Sequence, residues 1–200
     1  DLHVSKTVSA CFASLRQIRS IRRSITRPVL QSLVAALTLT RLDYGCSTLA
    51  GLPARQLNRL QSVLHAAARL IYSARKSEHV SPLLRQLHRL RVPHRIEFRL
   101  AVHFHHCQYG SAPRYFASEL RLVSETESRR RLRSASTASL LVPRTLHKTI
   151  GDRAFPVAAA KIWNGLSSST TSVKPLLAFR RALKTELFQR SHGDHNQATN

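Results

Sequence analysis

Through the first 120 residues apolar side chains recur at threes and fours, the spacing of one helix face rather than the alternation of a strand. Val4, Val8, Cys11, Phe12, Leu15, Ile18, Ile21 and Ile25 make the first series, about six turns long, which Arg27-Pro28 interrupts. Pro28 suits the first turn of a second helix, with Thr26 as its cap, carrying Leu30, Leu33, Val34, Leu37 and Leu42 and ending at Gly45. After Gly51-Leu52-Pro53 a third helix is expected from Leu57, Leu60, Val63, Leu64, Ala67, Leu70 and Ile71, with Arg55, Arg59 and Arg69 on the other side. Ser81-Pro82 opens a short helix with Leu83, Leu84, Leu87 and Leu90. Pro93 opens another with Ile96, Leu100, Phe104 and Cys107, stopped by Gly110, and Pro113 to Leu122 has room for one or two further turns.

The pattern breaks between Val123 and Ile150. Ser and Thr crowd in, Arg129-Arg130-Arg131-Leu132-Arg133 forms a block, and Leu140-Leu141-Val142 alone reads as an extended piece, so this stretch is expected to be a mobile basic linker. Helical spacing returns in Phe155, Ala158, Ala159, Ile162 and Trp163, and again in Leu176, Phe179, Leu183 and Leu187 after Ser172 and Pro175. The expected architecture is all-α, a bundle of about seven short helices with a basic linker carrying one short extended segment. Its expected parts are residues 1–74, their helical continuation 75–122, the linker 123–150, a C-terminal helical segment 151–190 and a frayed tail 191–200.

Charge changes this picture from an ordinary bundle to an unusual one. The chain holds 32 Lys and Arg against 10 Asp and Glu, a formal charge of +22, and the excess is +5, +8, +5 and +4 in successive quarters. It is therefore no basic tail on a neutral domain, and a polyanion is the expected partner. Apolar residues at 42% supply enough material for a core, which excludes wholesale disorder. No apolar run is long enough to span a bilayer, and the first residues lack a signal-peptide layout, so no membrane is expected and the compartment is read as intracellular, nuclear or a cytoplasmic ribonucleoprotein. The absence of Met suggests a piece of a longer reading frame. Cys11, Cys46 and Cys107 are odd in number and widely spaced, which fits neither a disulfide framework nor a zinc knuckle.

Carboxylate catalysis needs two or three converging acids, and the ten here are scattered, with only Glu125 and Glu127 close together. There is no phosphate loop of the Gly-rich Lys-Ser/Thr type and no Gly-x-Ser-x-Gly elbow, so no catalytic residue is assigned. His103 and Cys107 stand four apart on one helix face, a spacing able to hold a metal. A closed site needs two more ligands, and that face also carries Ile96, Leu100 and Phe104. The pair is therefore expected to line the core half-buried, with His105 and His106 pointing elsewhere and His147, His192 and His195 solvated.

The arginines carry the functional signal. Arg outnumbers Lys 26 to 6, and a planar guanidinium forks onto phosphate oxygens where an ammonium offers a point charge. Arg16, Arg19, Arg22 and Arg23 are expected along one side of the first helix, spanning about 10 Å, which matches roughly three phosphate steps. Together with Arg55, Arg59 and Arg69 and the block Arg129, Arg130, Arg131 and Arg133, they form the candidate nucleic-acid-binding set. Aromatic residues are few and do not alternate with basic ones, so backbone contact is better supported than base stacking along a strand.

Six motifs in order carry a resemblance: Arg41-Leu42-Asp43-Tyr44, Gly51-Leu52-Pro53, Leu60-Gln61 with Ala66-Ala67-Ala68-Arg69-Leu70, Val142-Pro143-Arg144-Thr145, Gly151-Asp152-Arg153-Ala154-Phe155, and Trp163-Asn164. Over residues 3 to 190 the chain resembles the C-terminal, thumb and post-thumb region of the reverse transcriptase of non-LTR retrotransposons, the jockey-like long interspersed elements. The resemblance implies that residues 1 to 74 form a thumb-like clamp on the backbone of a template-primer duplex of RNA, DNA or RNA/DNA hybrid. It also implies that the palm, with the aspartates that hold Mg²⁺, and the endonuclease lie in parts of the polypeptide not present here. No cofactor is expected in this segment itself. The plainer readings of Gly151-Asp152 as turn and cap before a core Phe155 and Trp163, and of Asp43 as partner to a nearby Arg, are structural. Two other functions fit the composition: a basic helical scaffold for acidic protein partners, and an inactive retroelement remnant.

Overall fold

The computed structural model describes residues 2–113, 116, 118, 120, 123, 139–146 and 151–193, and these are all-α. Helix α1 is Leu2–Ile21, α2 Arg27–Val34, α3 Thr40–Asp43, α4 Ala54–Tyr72 and α5 Ser81–Gln86. They are followed by α6 Val92–Gln108, α7 Phe155–Asn164, α8 Ser168–Thr171 and α9 Leu176–Gly193. Seven of these have six residues or more, in keeping with the apolar spacing. The described residues divide into two compact units, one from 2–46, 52–95 and 190–193, the other from 47–51 and those described between 96 and 189.

In the first unit α1 buries Val4, Val8, Cys11, Leu15 and Ile18 against α4 and against the helix that runs from Arg27 to Asp43. Each such aliphatic side chain contributes about 1.5–3 kcal/mol when fully buried. Ile21 falls off this face and is exposed, because α1 tightens after it into a 3₁₀ turn, Arg22–Ser24. Thr26 occupies the cap position of α2 but makes no side-chain capping bond.

Between α2 and α3 the helix does not stop; Ala35–Leu39 is a π turn. The buried positions around it, Leu30, Val34, Thr38 and Leu42, are four apart, and strict fours drift off one face at 3.6 residues per turn. A wider turn absorbs the drift. Leu37, expected on the core face, is thereby turned out to solvent and Thr38 is turned in, its hydroxyl fully buried without a hydrogen-bond partner. Gly45 then ends the helix in the left-handed region, as expected.

Two helix ends use left-handed residues other than glycine. Ser73 (φ 60°) closes α4, with the Ala74 N–H donating to the Arg69 carbonyl at 3.1 Å, and His88 (φ 50°) closes α5, with the Arg89 N–H donating to Leu84 at 3.0 Å. Asp43 does pair with an arginine: Arg95 Nε donates to its carboxylate at 3.0 Å, and a second guanidinium nitrogen bonds the same oxygen. The Val92 N–H, at the start of α6, donates to Gln61 Oε1 of α4 at 2.8 Å.

In the second unit Trp163 of α7 is buried between Phe104 of α6 and Phe179 of α9, at centroid distances of 4.3 and 5.8 Å. Leu140 is docked here rather than in a free linker. Its N–H donates to Asn164 Oδ1 at 2.8 Å and its carbonyl accepts from Asn164 Nδ2 at 2.9 Å, while the neighbouring Ser139 carbonyl accepts from the Val123 N–H at 2.9 Å. The extended piece therefore exists as a single buried anchor, not a strand among the described residues. Asp152 is not a cap. The capping position of α7 is Ala154, while Asp152 accepts from Thr145 Oγ1 and pairs with Lys161 at 3.1 Å. Gly151 forms the expected turn, its carbonyl accepting from the Ala154 N–H, and a side chain at this position would collide with Thr145. Phe155 is half-buried rather than core, edge-on to Phe116.

Candidate nucleic-acid interface

Because α1 turns its apolar face inward, its other side must carry what the sequence places there. Arg16, Arg19 and Arg23 are exposed, while Arg22 is half-buried in the 3₁₀ turn, so three of the four expected arginines share the solvent side. None of the four has a carboxylate within ion-pair reach among the described residues. On α4, Arg55 is exposed and free of such partners, but Arg59 and Arg69 are engaged within the fold. Arg59 Nη1 donates to Ser5 Oγ at 3.0 Å, and Arg69 Nη2 donates to the Glu78 carbonyl at 3.3 Å. Their side chains are half-buried, which limits what they can offer a ligand. Arg129, Arg130, Arg131 and Arg133 lie outside the described residues.

The Arg59–Ser5 bond ties the first turn of α1 to the second turn of α4. At the other end Arg27, which opens α2 a few residues after α1, stacks its guanidinium 4.0 Å over the ring of Tyr72 in the last turn of α4. The two helices therefore run side by side with their C-terminal ends together. That end gathers Arg19 from α1, Arg22 and Arg23 from the 3₁₀ turn after it, Arg27 from the first turn of α2, and exposed Arg75 and Lys76 beyond α4. Cations complement the partial negative charge of helix C-termini. The excess beyond what two helix ends can neutralise faces solvent.

A further basic face lies outside the set expected from sequence. On α9 Phe179, Leu183 and Leu187 point inward, so Arg180, Arg181 and Lys184 are exposed, with Lys174 just before the helix. Its signal in the sequence is the Arg-Arg pair and the Lys three residues on, offset from the apolar positions that mark the core face of α9.

The structure inverts the expected histidine roles. His103 is exposed, and the core histidine is His105, 2% exposed, stacked on Phe179 at 4.3 Å with Nε2 donating to the Val173 carbonyl at 3.2 Å. Burial holds its pKa below the usual imidazole value, partly offset by that hydrogen bond. Cys107 is buried as expected, and burial pushes its thiol up. Among the described residues no three His, Cys, Asp or Glu side chains are grouped to hold a metal ion, and no helix is long and apolar enough to cross a membrane. His192, expected to be solvated, donates from Nε2 to the Arg89 carbonyl at 3.1 Å. Ser191 beside it is buried and accepts from the Arg91 N–H, so the chain is helical and docked through Gly193 where a frayed tail was expected.

What the arrangement can do is hold extended anions: on α1, exposed guanidinium groups without carboxylate partners among the described residues, carried by a helix fixed by its buried face. No family model, no curated protein and no solved structure matches the chain.

Proposed function

We propose that this chain is a non-catalytic nucleic-acid-binding segment, the thumb and post-thumb region of an RNA-directed DNA polymerase of the non-LTR retrotransposon type, gripping a template-primer or target duplex by its phosphate backbone. The observation that supports this most is the row of exposed arginines on α1 and the turn after it, Arg16, Arg19 and Arg23, without carboxylate partners among the described residues and backed by the buried apolar face of α1. The order of motifs from Arg41-Leu42-Asp43-Tyr44 to Trp163-Asn164 supports the polymerase assignment. The chemistry of the polymerase is assigned to the missing palm, and RNA, DNA or a hybrid of the two is the partner.

Backbone contact releases counterions, and each neutralised phosphate contributes about −0.9 to the slope of log K against log salt on duplex DNA. Titration of a duplex between 50 and 200 mM salt should therefore lose about 10³ to 10⁵ in affinity for six to ten contacts. Little difference is expected between duplex sequences. A flat salt series would overturn the proposal.

A further inference from the structure

The connection between α1 and α2 carries a hydroxyl that the fold leaves unused. Thr26 is exposed and stands at the cap position of α2, yet makes no side-chain capping bond. Its backbone and that of Ile25 are extended, at φ −73°, ψ 158° and φ −128°, ψ 150°. The residues before it form a pattern: Ile21 stands five positions earlier, Arg22 four and Arg23 three. Ile21 is 46% exposed, Arg23 is exposed, and the 3₁₀ turn Arg22–Ser24 fully buries none of its residues. Little packing is given up when this stretch is drawn out into the cleft of another protein.

An arginine three residues before a Ser or Thr, with an apolar residue five before, is a pattern that protein kinases select by charge and an apolar pocket, holding the substrate extended. Among the described residues Thr26 shares it with Ser62, which follows Leu57 and Arg59. The structure separates the two. Ser62 lies inside α4, with its hydroxyl donating to the Arg59 carbonyl at 2.7 Å, whereas Thr26 lies between helices with extended backbone. In the transfer Thr26 Oγ1 attacks the γ-phosphorus of ATP and the bond from that phosphorus to the β,γ-bridging oxygen breaks. ADP leaves, and the hydroxyl proton passes to the base of the kinase. The phosphate brings a charge of about −1.5 to −2 to a place flanked in sequence by Arg22, Arg23 and Arg27, at the positive end of α2.

We propose that Thr26 is a phosphorylation site for an arginine-directed Ser/Thr kinase, and that its phosphate competes with nucleic acid for the arginines around it. The competition rests on the duplex reading; the site does not. Incubating the whole chain with Mg²⁺-ATP and the catalytic domain of a calmodulin-dependent protein kinase, then locating the phosphate by mass spectrometry, tests the site. Thr26 should carry most of the phosphate and Ser62 little. Thr26→Ser should react as the parent does, Thr26→Ala should lose this phosphate, and Arg23→Gln should react about tenfold more slowly. The site is overturned if Thr26 stays unmodified, if Ser62 reacts as fast, or if Arg23→Gln reacts at the parent rate. Phosphorylated at Thr26, the chain should bind a duplex about tenfold more weakly at one fixed salt concentration, since roughly two phosphate contacts are lost. Kinase-treated Thr26→Ala should bind it as the untreated parent does. Equal affinity before and after modification overturns the competition. A parent that binds no duplex before treatment counts against the duplex grip and the competition with it, while the site is judged by the labelling alone.

Discussion

His105 shows how a single side chain ties pH to stability. Its buried imidazole is held neutral in the folded state with a pKa below the ordinary value, so below about pH 6.5 the unfolded chain binds protons that the folded chain does not. Stability is therefore complete above the unfolded pKa and is lost as pH falls through the folded one. His106 on the same helix adds in the same direction. Urea unfolding at pH 7.5 and pH 5 should show a larger drop for the parent than for His105→Phe, which keeps a ring against Phe179 without the titrating group. Equal drops would assign the acid sensitivity to other residues. Apolar spacing points to a core histidine in this helix but favours His103. Two neighbouring registers carry His at 103, 105 and 106, and only the packing of Phe179 and Val173 decides which faces inward.

At the scale of the helix, arginines carried on a backbone fixed by a buried apolar face bind phosphates without that backbone first losing conformational freedom. Arg16→Gln, Arg19→Gln, Arg23→Gln should keep the helix, since Gln is a good helix former. It should also reduce duplex affinity, with a salt slope shallower by about 0.9 for each phosphate no longer neutralised. The same replacement at Arg129, Arg130, Arg131 and Arg133 should cost less. Titrations of both variants at one salt concentration, with circular dichroism to confirm helix content, decide the matter; a larger loss from the second variant would move the grip elsewhere. Helix existence and most inward faces were legible because threes and fours are a strong signal in α1, α4 and α6. The π turn was not, since Leu30, Val34 and Leu37 fit an ordinary helix equally well. Nor were the ends at Ser73 and His88, where a residue other than glycine takes the left-handed conformation. A buried hydroxyl in the π turn gives a further test at this scale. Thr38→Val keeps the shape and removes an unsatisfied group, so it should raise stability by about 1 kcal/mol in denaturant unfolding.

For the whole molecule, composition provides the strongest guidance and the least detail: a charge of +22 points to a polyanion without saying which arginines are spoken for inside the fold. Arg59, Arg69 and Arg95 prove to be tied to Ser5, the Glu78 carbonyl and Asp43, distinctions that depend on pairings no local spacing encodes. Half-buried Arg89, its pKa lowered by burial and by neighbouring Arg95, shows the same crowding of like charge inside the first unit. The side-by-side course of α1 and α4 has a consequence for how the chain survives alone. By bringing two C-terminal ends and their cations to one place, it concentrates self-repulsion there, so opening should begin at residues 19–27 and 69–76. A nucleic acid laid across that end would act as a staple. Limited digestion with trypsin, which cuts after Arg and Lys, should nick these two stretches early in the free protein and spare them when a duplex is bound; protection confined to other parts of the chain would place the weak point elsewhere.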